Sequence, residues 1–177
     1  MSGSIHRQLA VFGPARSMLR DTRASALVEG AVVLPLLVVL LFGIYEFSWF
    51  FYQQHVISYG LRDAARYLAR SQDACLPNSP NWSEATRIAR NLAATGFPSG
   101  GKDRVKGWSG AQIVVSCSAI ENASPPPATS FYRGGAIVYV VTVATRFVDP
   151  SLGFFNLLGL QLPVIAVAHS ERVIGPS

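Results

Sequence analysis

The N-terminal third of the chain is dominated by one apolar run. Between Gly30 and Tyr52 the only charged residue is Glu46. These 23 residues exceed the length of about 20 that crosses a bilayer as a helix. Their Leu, Ile, Val and Phe side chains contribute roughly −4 to −8 kcal/mol to insertion, whereas one acid costs about +3 kcal/mol or less. The run is too long for a signal peptide that is cleaved after it, so it predicts a membrane anchor that is not cleaved at its far end, where Tyr45, Trp49 and Tyr52 form an aromatic belt.

The pattern after this run changes from apolar all round to amphipathic. Apolar residues recur at helical spacing on one side, and charged residues fall mostly on the other. The pattern therefore predicts one helix from about Ser25 to Arg70, with Pro35 bending or loosening it locally. The apolar positions of the second half are Ile57, Leu61, Ala64, Ala65 and Leu68.

The remaining chain alternates turn signals with apolar stretches. Asn81 and Glu84 fit a capping box for a second helix, and Gly96 is a suitable C-terminal stop. Runs 111–120, 136–148 and 162–174 are typical of strands, and 136–148 is apolar on both sides, which favours a central strand covered on both faces. The predicted fold class is α+β, with a long pilin-like N-terminal helix followed by a small domain of one helix and a mainly antiparallel sheet.

Residues 151–161, SLGFFNLLGLQ, lie between the last two predicted strands. Six of these eleven residues are large and apolar. Such a segment is a buried crossover loop or a short helix, or else a patch that touches a partner or the bilayer surface. The sequence leaves these alternatives open.

Charge is scarce and concentrated at one end. Only 14% of residues are charged and the net charge is +5, of which +3 lies in residues 1–23. The composition excludes a disordered chain, a coiled coil and a collagen-like repeat. Nucleic-acid binding would need a basic, aromatic-interleaved face on a folded domain, so we expect no such partner. The short basic tail and the position of the cysteines favour a cytoplasmic N-terminus and an external C-terminal domain.

Motifs for catalysis or metal binding are missing from the sequence. The histidines His6, His55 and His169 form no i, i+4 pair with a carboxylate, so no metal or cofactor site is predicted. No nucleophile elbow or pair of acids points to an enzyme. Cys75 and Cys117 could form one bridge outside the cytoplasm, but their spacing says nothing about proximity. Glu29 opens the apolar run, where it could snorkel to the interface or pair with a positive partner.

Residues 24–70 resemble the TadE-like family, the pseudopilin-like proteins of bacterial tight-adherence (Flp-type) pili. The family pattern combines a small-residue start, a glutamate, an apolar run with L-P, a second glutamate and an A-A-R-Y-type motif. The matches, in order, are Val28-Glu29, Leu34-Pro35, Phe42-Gly43-Ile44, Glu46-Phe47 and Ala64-Ala65-Arg66-Tyr67.

The resemblance implies a prepilin whose basic leader is cut by a membrane prepilin peptidase. Glutamate is typically fifth after the cut, so Glu29 implies cleavage between Ala24 and Ser25. The family usually has glycine before the cut, so an uncleaved, anchored relative is the alternative. The resemblance further implies that Glu29, Pro35, Glu46, Arg66 and the 56–68 helix face serve helix assembly.

We therefore expect a non-enzymatic minor pseudopilin or assembly factor in the bacterial inner membrane. The expected organisation is a basic cytoplasmic leader (1–24), a transmembrane and amphipathic helix (25–70), and a periplasmic or extracellular domain (71–177). The partners implied are the membrane, other pilus subunits, inner-membrane assembly proteins and a prepilin peptidase. The alternatives are an anchored envelope binding protein without a pilus role and a membrane-anchored extracytoplasmic enzyme.

Overall fold

The structure, a computed structural model, describes residues 22–122 and 137–174. Most of the predicted leader and the segment between the first two strands lie outside these residues. The chain forms two compact units, Met1–Ile44 and Tyr45–Ser177. The predicted division into a membrane helix (25–70) and an external domain (71–177) concerns function rather than compactness, and it stays a prediction.

Helix α1 spans Thr22–Ala69 and contains Pro35. It confirms the expectation of one helix that continues from the apolar run into the amphipathic segment. Residues 25–44 are almost all exposed. Beyond residue 45 the exposure becomes periodic, because every third or fourth side chain packs into the second unit.

Helix α2 spans Pro80–Thr95. The predicted cap at Asn81 is wrong, because Ser79 is the N-cap and its side chain accepts a hydrogen bond from the Asn81 backbone N–H. Pro80 then occupies the first turn, where its missing N–H costs nothing. The predicted stop is confirmed: Gly96 adopts a left-handed conformation with φ 85°, and its N–H donates to Leu92.

Three antiparallel strands form the sheet. They are β1 (Ile113–Glu121), β2 (Ile137–Val148) and β3 (Val164–Arg172), and their spatial order is β1-β2-β3. The central place of β2 is confirmed, but its burial on both faces is wrong. Val141, Val143, Thr145 and Phe147 are buried, whereas the residues between them are half-buried or exposed. The helical layer therefore covers only one face of the sheet.

The hydrophobic core lies wholly in the second unit and joins α1, α2 and the buried face of the sheet. Trp108 is fully buried at its centre and donates through Nε1 to Thr145 Oγ1 at 3.0 Å. Gly60 allows α1 to approach α2 closely, since a Cβ there would lie 2.4 Å from the Ala93 carbonyl oxygen. The predicted apolar positions of α1 at 57, 61, 64, 65 and 68 all belong to this core.

The segment between β2 and β3 contains a short helix, α3 (Gly153–Leu157). Leu152, just before it, is buried, whereas Leu157, Leu158 and Leu160 are exposed. The segment is thus a short helix, one of the structures expected for it, but it is only partly buried.

Candidate functional site

The N-terminal half of α1 carries the predicted processing and assembly residues. Ser25 and Glu29 are exposed, while the side chain of Ala24 lies outside the described residues. Within the described part of the chain, Glu29 makes no hydrogen bond or ion pair. Pro35 is exposed inside the helix, and its ring nitrogen cannot donate to the carbonyl of Ala31. These residues give α1 a polar start followed by an uninterrupted apolar surface.

Glu46 differs from the exposed Glu29, because backbone groups of the same chain donate hydrogen bonds to its carboxylate. The residue is 8% exposed. Its Oε1 accepts from the backbone N–H of Phe154 at 2.6 Å, and Oε2 accepts from that of Phe155 at 3.1 Å. The first-turn amide groups of a helix have no intrahelical acceptor, so the Glu46 side chain supplies one. Glu46 therefore fastens α3 to α1.

A second carboxylate, Asp149, completes this attachment. The Asp149 Oδ2 accepts from Trp49 Nε1 at 3.2 Å and from Gln53 Nε2. Its Oδ1 accepts from the backbone N–H and the hydroxyl of Ser151, at 2.8 and 2.7 Å. Burial acts to raise the pKa of Asp149, but the hydrogen bonds from Ser151, Gln53 and Trp49 together hold that pKa below its usual value.

Glu46, Trp49 and Gln53 share one face of α1, because they are three and four residues apart. With Asp149 they form a set of side chains that we call the α1–α3 clamp. Sequence reasoning singled out Glu46 but missed Gln53 and Asp149. The sequence offered two signals for these residues. Gln53 is polar and lies on the same helical face as Glu46, and Asp149 directly precedes a long stretch without charged residues.

Arg66 lies at the other end of the second unit's part of α1. Its Nε is 3.7 Å from Glu171 Oε1 on β3, and His169 Nε2 is 2.9 Å from the same oxygen. The hydrogen bond from His169, assisted by Arg66, lowers the pKa of Glu171. Arg66 also lines an open cavity of about 680 Å³ against α2. An exposed ion pair of this kind adds little stability. The Arg66 side chain is 58% exposed, so it presents its charge at the surface.

The two cysteines are joined. Cys75 Sγ and Cys117 Sγ form a disulfide that ties the turn after α1 to strand β1 across 42 residues. Closing a loop of this length restricts the unfolded chain and stabilises the folded one. Neither sulfur carries a free thiol.

The described residues contain no cluster of metal-ligating side chains. Among residues 22–122 and 137–174, no group of three His, Cys, Asp or Glu side chains could hold a metal ion. The α1–α3 clamp and the surroundings of Glu171 each bring titratable side chains together. These side chains bind neighbouring residues of the same chain. What this arrangement does is position α3 and the sheet on α1.

These features define a class of protein. Among the described residues, one helix, within Ser25–Ala69, is long and apolar enough to cross a membrane, and a small disulfide-bonded α+β domain follows its apolar half. Residues 24–66 match the family model described as TadE-like protein. The match covers about a quarter of the chain and confirms the resemblance drawn from the sequence motifs. Together they indicate a single-pass membrane protein associated with a tight-adherence pilus system. No curated protein and no solved structure matches the chain.

Proposed function

We propose that the protein is a minor pseudopilin or assembly factor of a tight-adherence pilus, acting by helix–helix assembly in the inner membrane. The observation that carries this proposal is the TadE-like match on residues 24–66, which coincides with the apolar half of α1 and its extension. The N-terminus lies in the cytoplasm, and the second unit lies outside it. The Cys75–Cys117 disulfide supports this orientation, since disulfides persist in oxidising compartments.

Fewer residues of α1 are available for contacts with other subunits than the sequence analysis predicted. The apolar part of the 56–68 face is buried in the chain's own core, and Glu46 is occupied by α3. The exposed apolar side chains of residues 25–44 remain, together with Glu29, which has no partner among the described residues. Assembly therefore works through the first half of α1, with Pro35 in its contact surface and Arg66 presented separately near Glu171.

Glu29 has a specific part in this proposal. Cleavage between Ala24 and Ser25 by a prepilin peptidase creates a new α-amino group. The exposed Glu29 carboxylate of one subunit pairs with that amino group in its neighbour, because an unpaired charge at this depth is costly. Such a pair fixes the stagger between packed helices.

The decisive experiment replaces residues 25–44 with an unrelated apolar helix of equal length. This exchange leaves the second unit and the α1–α3 clamp unchanged. We expect the exchanged protein to accumulate in the membrane and to fail to restore pilus assembly in a strain lacking the gene. A control exchange at 25–44 that retains Glu29 and Pro35 should restore part of the activity. Full activity with the unrelated helix would contradict the proposal and favour the anchored binding protein.

Processing is tested separately by the mass and N-terminal sequence of the membrane-extracted protein, with the prepilin peptidase present and absent. Peptidase-dependent appearance of Ser25 as the first residue is the expected result. An intact N-terminus under both conditions would remove the cleavage step and leave an uncleaved assembly factor. Glu29→Gln, with Glu84→Gln as a solvent-exposed control, then tests whether pilus assembly needs the carboxylate after processing.

A further inference from the structure

The segment after Leu152 is an exposed apolar surface without charge. Leu157 is 79% exposed, and Leu158 and Leu160 are each about half exposed. From residue 150 to residue 170 the chain contains no Asp, Glu, Lys or Arg. Contiguous apolar surface of this kind, outside the core, usually contacts something other than water.

The clamp places this segment beside the apolar run rather than beyond it. Glu46 binds the first turn of α3, and the Phe47 ring meets the Phe155 ring edge-on at 5.2 Å. Six further residues of the apolar run follow Glu46, so its outer end lies about 9 Å along the helix at 1.5 Å per residue. Interfacial helices bury their apolar faces to about 5–10 Å, and α3 contacts α1 at a similar distance from the outer end of the run.

The backbone of the segment is suited to an apolar medium. Inside a bilayer each polar backbone group needs a partner within the protein. The amide groups of Phe154 and Phe155 donate to Glu46. The amide groups of the next exposed residues, Leu158, Gly159 and Leu160, donate to carbonyl oxygens of α3. The exposed leucines are therefore carried on a backbone whose donors already have acceptors.

Charged side chains lie beside the aromatic outer end of the apolar run. Lys102 and Lys106 line a cavity of about 510 Å³ together with Trp49 and Tyr52. Asp103 and Arg104 line the same cavity, so its charged side chains are three cations and one anion. Both lysines are exposed. Cations next to an aromatic belt at the end of an apolar helix complement lipid phosphates. This charge complementarity favours lipid over a second protein as the occupant of the neighbouring leucine surface.

We propose that segment 153–160 is a second membrane contact of the protein. Leu157, Leu158 and Leu160 insert into the interfacial layer of the leaflet that faces the second unit, while Lys102 and Lys106 lie at the phosphates. The domain is thereby held against the bilayer by two elements, α1 and the α3 segment. This contact is independent of the pilus role, because it requires only the protein and lipid.

The test uses the full-length protein, purified and reconstituted alone into vesicles of phosphatidylethanolamine and phosphatidylglycerol. A photoreactive benzoylphenylalanine replaces Leu158 in one variant and, as a control, the similarly exposed Val114 on β1 in another. After irradiation, intact mass spectrometry distinguishes lipid adducts from protein dimers. We expect lipid adducts at position 158 in at least fivefold excess over position 114.

Three results would overturn the proposal. The first is equal lipid labelling at the two positions, and the second is a dimer as the main product at position 158, which would assign the surface to a second copy. The third comes from irradiation in cells: a main adduct at 158 with another protein would assign the surface to that partner. A near-UV circular dichroism spectrum that matches the wild-type spectrum in both variants shows that the domain is folded.

Discussion

The two halves of α1 are both rich in apolar residues but have opposite surroundings. In residues 25–44 the apolar side chains point outward on every side, and Leu37 is 54% exposed. In residues 45–69 they are sorted by face, and Leu61 is fully buried against α2 and the sheet. One half finds its apolar surroundings inside the chain, whereas the other must find them in lipid or in a neighbouring helix. Residues 45–69 of α1 therefore contribute to folding of the second unit, whereas residues 25–44 are available for membrane insertion or assembly.

The largest expected effect comes from making the same substitution in both halves. Leu61→Ala removes a core side chain and leaves a cavity, so the free energy of unfolding should fall by about 2–5 kcal/mol. Leu37→Ala removes only exposed surface and should leave that free energy within about 0.5 kcal/mol. Denaturant unfolding of the two variants in detergent, followed by tryptophan fluorescence, measures both. Equal losses of unfolding free energy in the two variants would contradict the assignment of Leu61 to the core and Leu37 to an exposed surface.

Reduction of the disulfide should affect only the second unit. Cys75→Ser with Cys117→Ser removes a 42-residue closure, and the cost expected for such a bridge is about 2–4 kcal/mol. The same loss should appear when the wild-type protein is unfolded with a reductant, and the double variant should not respond to the reductant. Membrane insertion, measured by resistance to carbonate extraction, should remain unchanged. Loss of insertion on reduction would show that the two regions depend on each other.

Two glycines of α1 offer a matched comparison of smaller size. Gly60→Ala places a methyl group against the backbone of Ala93, and overpacking of this kind costs about 1–3 kcal/mol. Gly43→Ala meets no atom within 4 Å, so it should be neutral or should stabilise the helix by up to about 1 kcal/mol. Thermal unfolding of both variants gives the difference. A stabilising Gly60→Ala would contradict the close approach of α1 and α2.

The smallest effect should be the response of the α1–α3 clamp to acid. The folded protein holds the pKa of Asp149 below its usual value, so the stabilisation is complete above the unfolded pKa of about 3.9 and is lost as pH falls through the folded pKa. Asp149→Asn should therefore destabilise the protein at pH 7, and the difference from wild type should narrow below pH about 3.9. Unfolding measured at both pH values tests this.

A difference that stays constant between the two pH values would show that Asp149 does not act through its charge. Ser151→Ala provides a milder variant, because it removes one hydroxyl donor and leaves the other hydrogen bonds of the carboxylate. It should shift the acid response toward higher pH. Both variants change only the second unit and should leave carbonate-resistant insertion unaffected.

Local patterns predicted the helices and the sheet well. The apolar run, the helical spacing from Ile57 to Leu68 and the β-branched runs each report on backbone conformation directly. The cap of α2 was misplaced by two residues because Ser79 and Asn81 are both good capping residues, and Pro80 decides between them only through its backbone geometry. The outer face of β2 was misjudged because apolar alternation does not say how many layers cover a sheet.

The candidate site was less predictable than the fold. Glu46 was recognised from a motif, but its hydrogen bonds to Phe154 and Phe155 cross more than a hundred residues of sequence. Gln53 and Asp149 carry no motif, and their pairing depends on the approach of α1 and the segment after β2. Polar contacts between distant segments leave no periodic signal, so sequence reasoning could not find them.

The sequence by itself determined that one long helix begins in an apolar run, that an α+β domain follows it, and that residues 24–66 carry the TadE-like pattern. Those properties follow from local spacing and composition. Only the tertiary structure decided that Glu46 fastens α3 and that Cys75 meets Cys117. It also decided that the 56–68 face turns into the protein's own core. The physical reason is that burial and pairing depend on which segments come into contact. Those contacts are determined by the packing of the second unit as a whole and not by local spacing.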